Sequence, residues 1–333
     1  MDKETQKLFG IVDRFAHKKI VVWGDLILDE HVYGRTRRIS REAPVLILIY
    51  QHRELSLGGA GNSLQNLKSL GADPIPVAVI GDDTEGQIII EILKALRIPT
   101  KYLFKDKTYQ TPLKTRILAG EENTRKQQIL RIDRESRVPE SAGVKEKMRQ
   151  ALDLALRDAS GLILSDYNYL TVKEDIYPKI APLARKRKLP IALDSRFRLL
   201  HFKGVTVATP NEPEIESALK REVGENNELL KQAGKEILKI NQSPALLITR
   251  GSRGMALFEK GKPPTFIPVH GPTDIVDVTG AGDTVISVFT LALACGATFK
   301  QAAQLANFAG GVVVMKKGAA TLTPLELKQA IIS

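Results

Sequence analysis

Leu162-Ile163-Leu164-Ser165-Asp166 is a short apolar run ending on a hydroxyl and a carboxylate, and its reading decides the fold. It has the form of a strand buried on both faces whose carboxyl end carries chemistry. The same form returns at Ile20-Val21-Val22-Trp23-Gly24-Asp25, Ile191-Ala192-Leu193-Asp194, Val205-Thr206-Val207-Ala208-Thr209-Pro210-Asn211-Glu212 and Leu246-Leu247-Ile248-Thr249-Arg250-Gly251. Amphipathic stretches over Val144–Asp158, Val172–Lys188 and Asn226–Ile240 lie between them. This alternation predicts an α/β fold, a doubly wound, mostly parallel sheet with helices on both faces. Ligands of such sheets bind beyond the carboxyl ends of the strands. Asp25, Asp166, Asp194, Asn211, Thr249 and Asp283 are therefore expected to converge on one rim.

Two segments break the rhythm. Around Gly34–Tyr50 and Thr111–Ile132, the runs Val45-Leu46-Ile47-Leu48-Ile49 and Lys114-Thr115-Arg116-Ile117-Leu118 read as strands without intervening helices. They predict a small β lid, built from about residues 33–52 and 109–134, on a single domain spanning 1–333. Its strand edges favour pairing with a second copy, so a homodimer through the lid is expected.

With 333 residues, 43% of them hydrophobic, the chain can bury a sizeable core. The single Cys295 rules out a disulfide framework and points to a reducing, cytoplasmic setting. The charged start Met1-Asp2-Lys3-Glu4 is unlike an export signal, and no apolar run approaches the roughly 20 residues of a membrane span. A net charge of +11 invites a nucleic-acid reading. Yet the basic residues are dispersed apart from Arg185-Lys186-Arg187-Lys188, read as a helix end, and Arg35/Arg37/Arg38/Arg41, which suits a small anion better than a duplex. Neither nucleic-acid nor membrane partners are expected.

Asp277-Val278-Thr279-Gly280-Ala281-Gly282-Asp283 leads without a break into an apolar helical stretch. Small residues there let consecutive N–H groups converge at a helix start, where the dipole favours a phosphate. Asp283 would then lie where it can take a proton from an attacking hydroxyl, or it is simply a helix cap. Gly58-Gly59-Ala60-Gly61-Asn62 is a second glycine turn before a helix, suited to sugar hydroxyls or to a tight turn with an Asn cap. Asp25 and Asp29 are spaced to grip a polyol. Asn211 and Glu214 could hold hydrated magnesium near phosphates or cap the helix that follows. The chain has no Walker A motif, no dinucleotide fingerprint, no histidines at metal-ligand spacing and no serine-hydrolase elbow.

On these two glycine blocks and their separation, the chain resembles the PfkB/ribokinase-like sugar kinases over essentially its whole length. Arg38-Ile39-Ser40-Arg41-Glu42-Ala43-Pro44-Val45, Lys114-Thr115-Arg116, Arg131-Ile132-Asp133 and Ser165-Asp166-Tyr167 are most similar to the kinase domain of the heptose 7-phosphate kinase/heptose 1-phosphate adenylyltransferase proteins of lipopolysaccharide precursor synthesis. The resemblance implies ATP-dependent phosphorylation of a sugar hydroxyl, with D-glycero-D-manno-heptose 7-phosphate as the expected acceptor. It makes Asp283 the base, with the N–H groups of Gly280, Ala281 and Gly282 on the transferring phosphoryl group. Asp25, Asp29, Gly58, Gly59, Asn62 and Asp166 become sugar-side positions, and Lys114, Arg116 and Arg38 candidates for a phosphate already on the substrate. Asn211, Thr249, Gly251 and Asn307 fall on the nucleotide side with Arg196. Glu214 is implied in magnesium binding through water, and Asp277 lies near a monovalent cation, potassium, in some relatives. The chain departs from the heptose kinases at Asn168-Tyr169-Leu170, where a Lys-Gly pair is usual, and at Asp194-Ser195-Arg196, where they carry Asp-Pro-Lys. These departures keep open a kinase for an unphosphorylated hexose, pentose or nucleoside. A non-catalytic sugar- or nucleotide-sensing protein is the alternative of another class. No adenylyltransferase domain is expected after Ser333.

Overall fold

A computed structural model describes residues 2–121, 126–271 and 275–333. The strands are β1 (Lys19–Gly24), β2 (Leu26–Ile39), β3 (Leu46–Gly59), β4 (Asp73–Gly81), β5 (Leu103–Asp106), β6 (Leu113–Gly120), β7 (Gln127–Arg134), β8 (Gly161–Asp166), β9 (Ile191–Ser195), β10 (Val207–Ala208), β11 (Ala245–Thr249), β12 (Met255–Glu259) and β13 (Thr265–Ile267). The helices are α1 (Lys3–Val12), α2 (Ala60–Ser69), α3 (Thr84–Ala95), α4 (Ala142–Ala155), α5 (Tyr177–Lys186), α6 (Glu212–Leu219), α7 (Asn227–Asn241), α8 (Ala281–Ala294), α9 (Phe299–Val313) and α10 (Pro324–Ile332).

Nine strands form the main sheet in the order β13-β12-β11-β10-β9-β8-β1-β4-β5, parallel except where β12 pairs with β11 and β13. Alternation along each strand feeds two cores. In β1, Ile20 and Val22 enter one core while Val21 and Trp23 enter the other. Likewise Leu247 and Leu257 pack on the first side, and Leu246, Ile248 and Phe258 on the second. The first side is closed by α1, α2, α3, α8, α9 and α10, through residues such as Leu64, Phe289 and Leu305. The second is closed by α4, α5, α6 and α7, through Met148, Ile180, Ile215 and Leu230. Each such side chain contributes roughly 1.5–3 kcal/mol on burial. The expected doubly wound sheet is therefore present, and the basic cluster does close a helix, with Arg185 and Lys186 in the last turn of α5.

The lid is a second sheet of four strands, ordered β3-β2-β6-β7. It begins earlier than expected, because Asp25 is the one residue between β1 and β2, and β3 runs directly into α2. Residues 122–125 of the expected lid lie outside those described. Opposed residues share a face. The register therefore aligns Asp29, Lys114 and Asp133 with Arg116 and Arg131 on the side toward the main sheet. Val32, Ile117, Leu130, Thr115 and Ile132 fall on the other side. Beyond Arg35, which pairs with the last residue of β6, β2 and β3 continue alone as a projecting ribbon.

Candidate active site

The carboxyl ends of the parallel strands, the first turns of α2 and α8, and the inner face of the lid enclose a cavity of about 430 Å³. Asp283 lies at its floor, 5% exposed, on the first turn of α8. Asn62 Nδ2 donates to its Oδ2 at 3.0 Å, and the Tyr167 hydroxyl donates to Oδ1 at 3.0 Å. Burial pushes this carboxyl up to about 6, against the pull of the Asn62 and Tyr167 donors and of Arg196. A carboxylate titrating there is matched to taking a proton near neutral pH.

α8 starts at Gly280 with φ 76° and with no side-chain capping hydrogen bond. A Cβ on Gly280 would stand 2.1 Å from Asn62 Nδ2, whereas one on Gly282 would meet nothing within 4 Å. The helix therefore offers an open N-terminus, with its dipole, to an anion. Under the lid, Gly58 has no room for a side chain, since its Cβ would lie 2.4 Å from an Asp29 carboxylate oxygen. Asp29 holds Arg116 at 2.5 Å, and Lys114 reaches Asp133 at 3.2 Å. Arg131 also binds Asp133 and lines the cavity.

At the carboxyl end of β10, Asn211 and Glu214 form a capping box for α6: Glu214 N–H donates to Asn211 Oδ1 at 2.8 Å, and Asn211 N–H to Glu214 Oε2 at 2.9 Å. Both residues nonetheless line the cavity, so the cap and the rim coincide. Burial raises the carboxyls of Asp194 and Glu214, and the charge of Glu214 raises Asp194 further. Two hard carboxylates on one wall fit a hydrated divalent cation. Thr249 and Gly282 are shared with an adjoining, mostly apolar hollow of about 180 Å³, which Gly251, Ala281, Val285 and Asn307 also line. Among the described residues, no group of three or more His, Cys, Asp or Glu is arranged as a closed metal site.

Asp29, Gly58, Gly59, Asn62, Lys114, Arg116, Arg196, Asn211, Glu214, Thr249, Gly280, Gly282 and Asp283 thus meet around one cavity, and Gly251, Ala281 and Asn307 around its neighbour. The structure places four other candidates differently. Asp25 lines neither hollow; its carboxylate is fully buried and accepts N–H groups from Tyr167, Tyr169 and Thr171 at 2.8, 3.0 and 2.9 Å. Asp166 edges the cavity, but its oxygens are engaged by Arg198, by the Ser195 hydroxyl at 2.6 Å and by Asn168 N–H, because a buried charge must be paired. Arg38 is exposed on the projecting ribbon, past the end of β6, and reaches neither hollow. Asp277 also lines neither; its carboxylate braces the loop before α8 by accepting N–H groups from Thr279 at 2.9 Å and Gly318 at 3.0 Å. Tyr167, Arg131 and Thr209 line the cavity although the sequence did not mark them as site residues. For Tyr167 the signal was its place directly after the β8 run.

An open helix N-terminus beside a buried carboxylate, at the rim of a doubly wound sheet, fits a phosphotransferase with a hydroxyl as acceptor. The pfkB family carbohydrate kinase model matches residues 17–326. The chain belongs to this family of carbohydrate kinases. It is 38% identical over 317 residues to the Bifunctional protein HldE of Geobacter metallireducens, covering 94% of this chain and 63% of that protein. It is 39% identical over 308 residues to the Bifunctional protein HldE of Helicobacter pylori, covering 91% and 64%. The chain thus spans just under two thirds of the length of these relatives. Among solved structures, it is similar to Arabidopsis thaliana ribokinase complexed with ribose and ATP (TM-score 0.71, 20% identity, 95% of this chain and 99% of that one). It is also similar to Escherichia coli phosphofructokinase-2 in complex with potassium (TM-score 0.73, 17% identity, 95% and 98%). Among the described residues, no helix is long and apolar enough to cross a membrane.

Proposed function

We propose that the chain transfers the γ-phosphoryl group of ATP to a hydroxyl of a sugar that already carries a phosphate, namely D-glycero-D-manno-heptose 7-phosphate, giving the 1,7-bisphosphate. The observation that carries this reading is that Lys114, Arg116 and Arg131 stand on the lid's inner face in the same cavity as Asp283. Three cations exceed what a neutral sugar needs, and they suit the phosphate of a phosphosugar. Each is paired with Asp29 or Asp133, so an arriving phosphate exchanges one anion for another instead of meeting bare charge. The identity to proteins named Bifunctional protein HldE supports the same acceptor.

In this reading Asp283 takes the proton of the attacking hydroxyl, and the first turn of α8 holds the transferring phosphoryl group. Asn62, Gly59 and Asp29 orient the acceptor. Thr249, Gly251 and Asn307 line the adenosine side, and Arg196 faces the phosphates. Magnesium would be held through water by Glu214, beside Asp194, and supplies charge neutralisation for the phosphates when bound. The outer face of the lid, with Leu130 and Ile132 52% and 54% exposed, is the surface through which we expect two copies to pair.

A kinase assay across phosphorylated and free sugars tests the reading. Heptose 7-phosphate should give the highest kcat/KM, and Arg116→Ala should raise KM for it far more than for ATP. Preference for a free hexose, pentose or nucleoside would overturn the choice of acceptor.

A further inference from the structure

The geometry points to Asp25 as a positioning residue that acts through the loop 167–171 to set the Tyr167 hydroxyl on the carboxylate of Asp283. This rests on Asp283 being the base. Asp25 is 0% exposed and occupies the single-residue corner between β1 and β2. Its main chain joins two parts of the site, for its N–H donates to Ser165 O at 3.0 Å and its carbonyl accepts from Ala60 N–H at 3.0 Å. Its side chain fixes a third part. One oxygen accepts the N–H groups of Tyr167 and Tyr169, and the other accepts that of Thr171.

The residues between these amides are in the left-handed region, Asn168 at φ 70° and Leu170 at φ 66°. Non-glycine residues rarely adopt it, and a leucine there is held only when its surroundings dictate it. The alternation turns every second N–H inward, making a concave anion site that the protein's own carboxylate fills. The loop shape and the buried charge therefore require each other. The first residue so held is Tyr167, whose side chain crosses the cavity to Asp283 with the Arg196 guanidinium 5.3 Å from the ring centre.

Asp283 is faced by Asp29 from β2, by Asp194 and Arg196 from the end of β9, and by Tyr167 from the loop. Burial keeps the Tyr167 phenol well above its ordinary titration range, so it stays a donor at every working pH. A donor fixed on a carboxylate favours its ionised form. Losing Tyr167, or the clamp that aims it, should raise the pH at which this carboxyl ionises, in the same way for both.

The pH dependence of kcat/KM decides. Tyr167→Phe should move the acid limb upward by about one pH unit, the size expected for one hydrogen bond to a charged group. Asp25→Asn should produce the same displacement, and the double variant no more than either alone. An Asp25→Asn enzyme with a lower Tm but an unmoved acid limb would reduce Asp25 to a structural role and overturn the proposal; so would additive shifts. Should Asp25→Asn fail to fold, hydrogen exchange on the unaltered protein takes its place. The amides of Tyr167, Tyr169 and Thr171 should be strongly protected, and exchange at open-loop rates would contradict the clamp. Asp283→Asn separates the two readings. Near-normal turnover in that variant removes the base on which the inference stands. Lost turnover there, with an unmoved limb in Tyr167→Phe, sinks the inference alone.

Discussion

Asp283 is poised by opposing forces: burial raises its carboxyl to about 6, while the Asn62 amide and the Tyr167 hydroxyl favour the charged form. Only the ionised carboxylate accepts a proton, so kcat/KM should fall as pH drops through about 6, as a pH profile would show. A profile flat down to pH 4 would speak against this residue as the titrating group. Gly280 makes an equally local demand. With φ 76° and a Cβ site 2.1 Å from Asn62 Nδ2, Gly280→Ala should cost roughly 1–2 kcal/mol from the backbone alone and displace Asn62 from Asp283. Thermal unfolding and turnover should both decline; an unchanged Tm would contradict the strain. Asp283 and Gly280 were legible in the sequence because their requirements are local, an acid and a glycine at a helix start. The clamp made by Asp25 was not legible, because its partners lie more than 140 residues along the chain, in a loop whose left-handed turns at Asn168 and Leu170 have no glycine to announce them.

At the level of elements, the proposed choice of acceptor rests on the lid. The strands of the main sheet that are continuous apolar runs were readable, as were the helices α4, α5 and α7 on their polar and apolar faces. β4 was not, since Pro74 and Pro76 disguise its start, nor were β12 and β13, short antiparallel strands at one end of the sheet. The lid was readable as β structure, but its register was not. The unbroken β2–β6 register, with Asp29 opposite Lys114, turns Arg116 to the cavity, while the end of β6 at Gly120 leaves Arg38 out on the ribbon, past bulges at Tyr33/Gly34 and Thr36/Arg38. The outer face yields its own expectation. Ile132→Asp places a charge on an exposed apolar position, so it should leave Tm nearly unchanged while shifting the elution and light-scattering mass toward a single chain. A dimer that persists unaltered would place the pairing elsewhere.

Across the whole molecule, two cores on opposite faces of one sheet hold the rim rigid, and α2 and α8 bring the two glycine turns together from positions more than 200 residues apart. In the proposed function, two anions are brought to one corner, the nucleotide by the start of α8 and the phosphosugar by the lid, with a buried acid between them. Ligands that bind only the native state raise its melting point, so the nucleotide and the sugar phosphate should each do so. The central claim is tested most directly by Asp283→Asn assayed with ATP and heptose 7-phosphate. Turnover should fall on the order of 10²–10⁴-fold, as removal of a general base does, while Kd for ATP stays within a few-fold of its original value. Turnover within a few-fold of the unaltered enzyme would contradict the account.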